Sequence, residues 1–157
     1  MSVTIAGIST LGVTFGYGTS NGSAKPSAFT QLDRIVSLGG ISMDTEKLDC
    51  STLEDLSTKY IAGRADTGGT WEVVVNVTTE TIAEWKSVIS AYNSAKADNN
   101  NIWFEVIVPN TDNAFFVVAE PPQVLPFPEM GSNEVMQMTV SLAVVEYKGE
   151  DTKVAFS

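Results

Sequence analysis

The clearest regularity in the hydrophobic pattern is an alternation of apolar and more polar residues over positions 71–78. Trp71, Val73, Val75 and Val77 occupy every second position of this segment. Because successive side chains of a β-strand point to opposite faces, such an alternation is typical of a strand with one buried face. The sequence therefore predicts a strand that begins at Trp71.

Similar patterns predict four more strands. Residues 32–43 form a β-favouring segment in which Gly39-Gly40 indicates a bulge or bend. Residues 102–108 and 114–119 flank a turn-forming Asn-Thr-Asp-Asn sequence, so we expect them to form a hairpin. The longest candidate is 134–147, in which an apolar face alternates with a small, polar face. That second face either lines a lumen or faces solvent.

One segment has helical periodicity. Thr81 and Glu84 have the spacing of a capping box, which predicts the start of a helix. The apolar positions of the same segment recur at helical spacing on one face: Ile82, Trp85, Val88, Ile89 and Tyr92. We expect the helix to end in the polar turn at 98–101.

Four segments lack a regular pattern. Residues 1–31 are rich in Gly, Ser and Thr, which favours an extended arm with little core of its own. Residues 44–69 form a polar stretch so long that it predicts a functional loop or arm. The prolines within 121–128 predict a stiff surface crossing. Residues 148–157 are polar and predict a tail that is frayed or bound to a partner.

These elements predict a mainly β protein of the α+β class. We expect one domain over residues 1–157, built as an antiparallel β-sandwich or partial barrel with one flanking α-helix. Trp71, Trp85 and Trp103 are predicted core residues, since each lies in a regular element. A long unpaired strand leaves an exposed edge in such a fold, and closing a ring of subunits edge to edge removes it.

Composition narrows the function classes. The chain has 43% hydrophobic and 18% charged residues, which is typical of a folded globular protein. It contains no histidine, which excludes Ser-His-Asp and Cys-His catalysis and histidine-ligated zinc. The net charge of −10 argues against binding nucleic acid by phosphate neutralisation. The negative charge is compatible with a conduit through which DNA slides, and equally with ordinary solubility.

Two further features bear on where the protein works. The apolar stretches are too short to cross a bilayer, and the first residues lack the basic and continuous apolar regions of a secretion signal. Cys50 is the only cysteine, which excludes an intrachain disulfide and favours a reducing compartment. We therefore expect assembly in a cytoplasm, no membrane partner, and an unreactive Cys50.

Four short sequences occur in a suggestive order along the chain. They are Thr14-Phe15-Gly16-Tyr17-Gly18, Leu32-Asp33-Arg34-Ile35, residues 48–55, and residues 59–69 running into Trp71. After them come a strand, a single helix, a hairpin, a proline-rich segment and a long strand. In sequence and order, residues 16–147 resemble the major tail-tube protein of long, flexible-tailed bacteriophages.

The resemblance implies a structural subunit that forms hexameric rings, which stack into a hollow tube for DNA delivery. It implies a location in the virion tail after assembly in the host cytoplasm. The implied partners are other copies of the chain, the tape-measure protein, and the tail-tip and tail-terminator proteins. DNA would pass through the lumen without specific binding, and no catalytic residue, cofactor or metal is implied. Residues 44–69 would be the arm that reaches the adjacent ring.

The same resemblance directs attention to six residues of that arm: Leu53, Leu56, Tyr60, Ile61, Arg64 and Asp66. The four apolar and aromatic side chains are either ring-stacking anchors or groups that fold back on their own domain. Arg64 either pairs with a carboxylate across a ring interface or is an exposed arginine without a special role. These six residues are the predicted subunit interface.

Other functions remain open at the level of sequence. Asp66-Thr67-Gly68 also resembles the active-site triplet of aspartic proteases, although the buried apolar strand of that family is missing before Asp66. The acidic residues of the arm lack the spacing of a calcium loop, which favours a solvated face over a metal site. An inner-tube protein of a contractile tail or injection machine, or a capsid decoration protein, would also be a β-rich subunit that assembles into a larger structure.

Overall fold

The computed structural model describes residues 7, 11–20, 22–66 and 69–156. These residues form nine β-strands and one helix. Every pair of hydrogen-bonded neighbouring strands is antiparallel. The strands are β1 Thr14–Thr19, β2 Thr30–Leu32, β3 Ile35–Leu38, β4 Asp44–Asp49, β5 Tyr60–Asp66, β6 Thr70–Asn76, β7 Ile102–Ile107, β8 Asn113–Glu120 and β9 Gln137–Thr152, and helix α1 spans Thr79–Ala97. The predicted mainly β, α+β class with a single helix is confirmed for the described residues.

Seven strands form one sheet in the order β2-β1-β7-β8-β9-β6-β3. Strands β1 and β6 are four positions apart, or about 19 Å along a flat sheet. Nevertheless the rings of Phe15 on β1 and Trp71 on β6 have centroids 5.6 Å apart. The sheet therefore curls around one core as a partial barrel.

The link between β2 and β3 explains the curl. These strands lie at opposite ends of the sheet, yet only Asp33 and Arg34 separate them, which limits the Cα atoms of Leu32 and Ile35 to about 11 Å. Arg34 adopts φ +59°, and its carbonyl accepts a hydrogen bond from the Asn76 N–H at 3.0 Å. No ladder joins β2 to β3 in the described residues, so the barrel stays open at this seam.

The main core fills the concave side of the sheet. Phe15 is 1% exposed, stacks on Phe104 with centroids 5.6 Å apart, and lies 6.5 Å from the ring of Trp85 on the helix. Trp71, Trp85 and Trp103 are all buried, as predicted, although Trp103 belongs to a second cluster described below. Aromatic burial of this extent makes the concave side the main source of stability.

The helix closes one end of the barrel. Trp85, Val88 and Tyr92 of the predicted apolar face are buried, whereas Ile82 and Ile89 are only half-buried; the buried face continues instead through Thr81 and Ala95. The predicted capping box was wrong: the N-cap is Thr78, whose side chain accepts the Thr81 N–H at 3.1 Å. Thr81 occupies the third helical position because its hydroxyl is buried and donates to the Asn76 carbonyl at 2.9 Å. Glu84 instead accepts the Asp33 N–H at 3.1 Å, which ties the helix to the link between β2 and β3.

A second, smaller core covers the convex side of β7 and β8. Its buried members are Phe29, Trp103, Ala114, Phe116 and Val118. Val154 and Phe156 pack onto it from the C-terminal end of the chain. Lys25 lies over the Phe116 ring at 4.8 Å and pairs with Asp151 at 3.3 Å. Strands β7 and β8 are thus buried on both faces.

Two sequence predictions fail at this second core. Residues 14–20 and 22–31 are not an arm, because β1 is an interior strand and Phe15 and Phe29 are buried; position 21 and most of positions 1–10 lie outside the described residues. Residues 148–156 are not a frayed tail, because β9 continues to Thr152 and Phe156 bridges Phe29. In both cases local composition hid an aromatic residue, Phe29 or the half-buried Phe156, that packs on the convex face of β7 and β8.

Other boundaries differ in smaller ways. The strand predicted over 32–43 is confined to Ile35–Leu38, and its bulge lies between Ile35 and Ser37, not at the glycines. The predicted hairpin is confirmed, since β7 pairs with β8 across the turn. The proline-rich segment contains no helix or ladder, as expected. Within the described part of the chain, no helix is both long and apolar enough to cross a membrane.

The second core contains a buried carboxyl group, that of Glu105. Its Oε2 accepts the Val154 N–H at 2.7 Å, whereas Oε1 is buried without a hydrogen-bond partner among the described residues. Burial raises the pKa of Glu105, and the Val154 N–H opposes that rise. A raised folded-state pKa means that ionisation costs stability at neutral pH and costs nothing below the unfolded-state pKa.

Replacing this carboxyl group with an amide therefore has a pH-dependent consequence. In Glu105→Gln we expect the free energy of unfolding at pH 7 to rise by on the order of 1 kcal/mol, because the variant keeps the acceptor for Val154 and loses the buried charge. The gain should vanish as the pH falls through the raised pKa. Urea unfolding of the wild type and the variant between pH 4 and pH 7 measures this difference in the free energy of unfolding. A difference that does not depend on pH would contradict a raised pKa of Glu105 as its cause.

Candidate assembly surface

Strands β4 and β5 form a two-stranded antiparallel sheet of their own. They pair from Asp44 opposite Asp66 to Asp49 opposite Tyr60, with a bulge between Thr45 and Lys47. The segment predicted as a long loop or arm is thus a β-hairpin. The sequence did not show this, because its polar, charged strands carry no alternation that separates a buried face from an exposed one.

The hairpin is exposed on both faces. Every described side chain from 42 to 65 is exposed, except that Asp55 and Gly63 are partly covered. A two-stranded hairpin with no buried face is marginally stable in water. Nothing in the described part of the chain covers either face.

The structure places the predicted interface residues on this hairpin. Leu53 and Leu56 lie at its tip and are fully exposed, while Tyr60 and Ile61 begin β5 with more than half of their surface exposed. None of the four is buried against the rest of the chain, so the alternative that they fold back is not what the structure shows. Their role as anchors stays a prediction.

The two charged residues of the predicted set lie near the hairpin base. Arg64 is exposed and takes part in no ion pair with a described side chain. Asp66 pairs through its backbone with Asp44, and nothing is described of its side chain. The protease-like triplet extends to Thr67 and Gly68, which lie outside the described residues. Among the described residues no group of three or more acidic or cysteine side chains is arranged to hold a metal ion.

Polar contacts order the tip and leave the leucines outside. Asp55 accepts the Thr52 N–H at 2.8 Å and pairs with Lys59 at 2.9 Å. The Lys59 N–H in turn donates to the Ser51 hydroxyl at 2.7 Å. The Thr52 N–H, followed by Lys59, holds the pKa of Asp55 below its ordinary value. The tip therefore has a defined shape before any partner binds.

This arrangement predicts a local effect of Asp55→Ala. Losing the acceptor for Thr52 should raise the amide exchange rate of the tip roughly tenfold while the midpoint of global unfolding is unchanged. Because the folded-state pKa is lowered, the wild-type protection should be present above the ordinary pKa of aspartate and be lost as the pH falls through the lowered value. Hydrogen exchange read by NMR measures both, with Glu54→Ala as the matched control. Equal exchange rates in the two variants would contradict the role of Asp55.

Strand β9 leaves a stepped edge in the main sheet. Its first half pairs with β6 up to Ala143, and its second half pairs with β8 from Ala143 onward. On the β6 side, the Val144 N–H donates to Gly69, and no ladder follows from 145 to 152 in the described residues. Sequence could not reveal this edge, because it depends on where the neighbouring strands end. An unpaired edge of this length is a ready site for strand pairing with another chain.

The barrel is open at the end from which the hairpin leaves. An apolar cavity of about 160 Å³ there is lined by Leu38, Gly39, Ile41, Trp71, Val106, Phe115, Val117 and Tyr147. We call it the mouth. The opposite end carries helix α1 and the proline-rich crossing, where Phe127 is 86% exposed. Sequence analysis missed both surfaces, although an aromatic residue between Pro126 and Pro128 was a visible signal of an exposed, rigid side chain.

Comparison with known proteins identifies the fold. No family model matches the chain, and no curated protein matches its sequence. A chain of the tail of an empty GTA particle, whose structure was computed with helical refinement and C6 symmetry, is similar with a TM-score of 0.54 and 12% identity over 90% of this chain and 95% of that chain.

A second similar structure is a chain of the anti-feeding prophage (AFP) baseplate, six-fold symmetrised. It has a TM-score of 0.46 and 12% identity over 98% of this chain and 97% of that one. The first comparison shows that this chain has the fold of a tail-particle chain over nearly all of both lengths.

Proposed function

We propose that this protein is a structural subunit of a bacteriophage tail tube. In this proposal it polymerises as stacked hexameric rings around a hollow conduit for DNA. The observation that carries the proposal is the β4–β5 hairpin, which is exposed on both faces and presents Leu53 and Leu56 to solvent. Apolar side chains on an ordered, unsupported hairpin are stabilised when a neighbouring subunit buries them.

The unpaired edge of β9 supports the same proposal. Lateral pairing of this edge with a neighbouring copy would satisfy its backbone groups and remove the aggregation risk of an open edge. The likeness to a chain from a tail with C6 symmetry is consistent with six copies around an axis. Ring closure would use the sheet edge, and ring stacking would use the hairpin.

The wall of the proposed lumen is the convex face of β6 and the first half of β9. There Gln137, Thr139 and Ser141 are exposed, while their neighbours Met138 and Val140 are buried in the main core. Small, neutral side chains together with the chain's net charge of −10 would let DNA slide without binding it. The proposed partners are the tape-measure, tail-tip and tail-terminator proteins, within the virion tail, and no catalytic role is proposed.

Negative-stain electron microscopy of the purified chain over a range of concentrations tests this function. Hollow tubes or six-fold rings are the expected result. Particles that remain monomeric at every concentration, both alone and with a tail-tip preparation as template, would contradict it. Stable trimers without tubes would instead favour a capsid decoration protein, and a requirement for a sheath protein would favour a contractile machine.

A further inference from the structure

The segment that follows β9, residues 153–156, lies on the convex face of the main sheet, and we call it the strap. The Val154 N–H donates to Oε2 of Glu105 at 2.7 Å, which joins the strap to the middle of β7. Phe156 forms a parallel bridge with Phe29 and packs on the second core. The strap therefore covers the second core at the position of its buried carboxyl group.

A glycine on β1 makes room for the strap. Gly16 lies opposite Glu105 in the register of β1 and β7, and a side-chain carbon at position 16 would collide with the Phe156 ring. The ring therefore lies directly on the backbone of β1, beside Glu105. On the other side, the partner of Glu105 in the register of β7 and β8 is Phe116. The carboxyl group is thus enclosed by two aromatic residues and the strap, which leaves Glu105 0% exposed.

The enclosed carboxyl group lacks the partners that a charge requires. Oε2 accepts the Val154 N–H, whereas Oε1 is buried without a hydrogen-bond partner among the described residues. An ionised carboxylate accepts hydrogen bonds at both oxygens, and burying it costs more than burying a neutral carboxyl group. Detaching the strap would admit water to both oxygens of Glu105. Opening and ionisation therefore favour each other.

The nearest cation offsets this cost only in part. Lys25, in the segment between β1 and β2, favours ionisation of Glu105. Its ammonium group, however, also pairs with Asp151 at 3.3 Å and donates to the Thr152 carbonyl at 2.9 Å. Burial outweighs both Lys25 and the Val154 N–H, so that the pKa of Glu105 is raised above its ordinary value.

Other ionisable groups on the elements around this carboxyl group have partners of their own or lie elsewhere. On β9, Lys148 pairs with Glu146 at 2.9 Å. On the strap, Lys153 donates from Nζ to a backbone carbonyl of the turn between β7 and β8 at 3.3 Å. On β1, Tyr17 packs against the main core, and on β8, Glu120 is the last residue of the strand. The cost of ionisation therefore depends mainly on whether the strap covers the carboxyl group.

The strap is the part of this cover that can open at least cost. Lys153 and Ala155 are exposed, and Val154 and Phe156 are only half-buried. Detaching these four residues exposes less apolar surface than separating β7 from the strands on either side of it. Segments with little buried surface open locally, without global unfolding.

We propose that the strap is a latch controlled by Glu105, in which the neutral carboxyl group holds residues 153–156 closed on the second core and ionisation releases them. The closed state is fully favoured below the ordinary pKa of glutamate, and this preference is lost as the pH rises through the raised pKa of Glu105. Release uncovers apolar side chains of the second core. The latch is a property of the single chain and does not rest on the proposed tail-tube function.

Amide hydrogen exchange of the full chain, read by NMR between pH 4 and pH 7, tests the latch. The protection factor of Val154 should fall by about tenfold per pH unit between the ordinary and the raised pKa of Glu105, because opening releases one proton. Glu105→Gln should remove this dependence, since the amide keeps an acceptor for Val154 and does not ionise. Glu72→Gln, at an exposed position of β6, is the matched control and should retain it.

The same experiment contains the results that would overturn the latch. A Val154 protection factor that does not change with pH would exclude control by ionisation. Persistence of the pH dependence in Glu105→Gln would assign it to another group. Exchange of Val154 no faster than that of the interior amides of β7 would show that the strap opens only when the whole sheet unfolds.

A second variant measures the coupling from the other side. Phe156→Ala weakens the strap and keeps the Val154 N–H, so the pKa of Glu105, measured by carbon-13 NMR of its carboxyl group, should fall toward the ordinary value. Phe156→Leu should restore most of the shift because it keeps apolar volume. Phe127→Ala, which removes the same side chain from an exposed position, should leave the pKa unchanged. An unchanged pKa in Phe156→Ala would show that the strap does not control the carboxyl group.

Discussion

Phe15→Ala is expected to lower the free energy of unfolding by about 3–5 kcal/mol, which is a large fraction of the stability of a typical domain. The ring is 1% exposed and contacts Phe104, Trp71 and Trp85, so it joins β1, β6, β7 and the helix across the barrel. Its removal leaves a cavity at the one point where all these elements meet. Urea unfolding followed by tryptophan fluorescence measures the loss.

The chain offers a matched control in Phe127→Ala. The same side chain is removed from an exposed position, so the free energy of unfolding of the monomer should change by less than about 0.5 kcal/mol. Similar losses in the two variants would show that the concave core is not organised around Phe15. A small loss in Phe15→Ala alone would show that the barrel can collapse into the cavity.

The combined substitution Leu53→Asp and Leu56→Asp is expected to abolish tube formation and leave the folded subunit unchanged. Both leucines are fully exposed in the single chain, so neither contributes to its core. If a neighbouring subunit buries them, as proposed, the substitution removes the buried apolar side chains from the contact. It also places two carboxylates there, whose charges would have to be desolvated. We expect the concentration required for assembly to rise by more than about a hundredfold.

Electron microscopy and light scattering measure assembly, and thermal unfolding of the monomer measures the fold. Ser87→Asp with Ser90→Asp, on exposed helical positions, changes the net charge equally and is the control. If the control abolishes tubes as well, added negative charge is the cause and the hairpin tip has no special role. Normal tubes from the leucine variant would contradict the stacking function of the hairpin.

The sequence predicted well those elements in which a local period coincides with burial. The alternation at 71–78 gave β6, and the apolar spacing from Ile82 to Tyr92 gave the buried face of α1. The capping residue was misplaced by three positions, because threonines at 78 and 81 both suit a helix start. Only the buried hydrogen bond from the Thr81 hydroxyl to the Asn76 carbonyl decides between them.

The interface residues named from the sequence are all on one hairpin, but the sequence did not reveal that this segment is a hairpin. Polar strands that are exposed on both faces lack the alternation of apolar and polar residues by which a strand is predicted from sequence. The mouth and the stepped edge of β9 were missed for a different reason. Each is made by the way separate strands end relative to one another, and no local pattern records that relation.

Local chemistry alone determined the identities of β6 to β9 and helix α1, the exclusion of histidine-based catalysis and the rigidity of the proline-rich crossing. These follow from backbone sterics, side-chain inventory and periodicity, which act over a few residues. Tertiary structure alone decided that residues 14–31 and 148–156 belong to the body of the protein. Phe29 and Phe156 are 127 positions apart in the chain, and they pair only because the convex face of β7 and β8 must be removed from water.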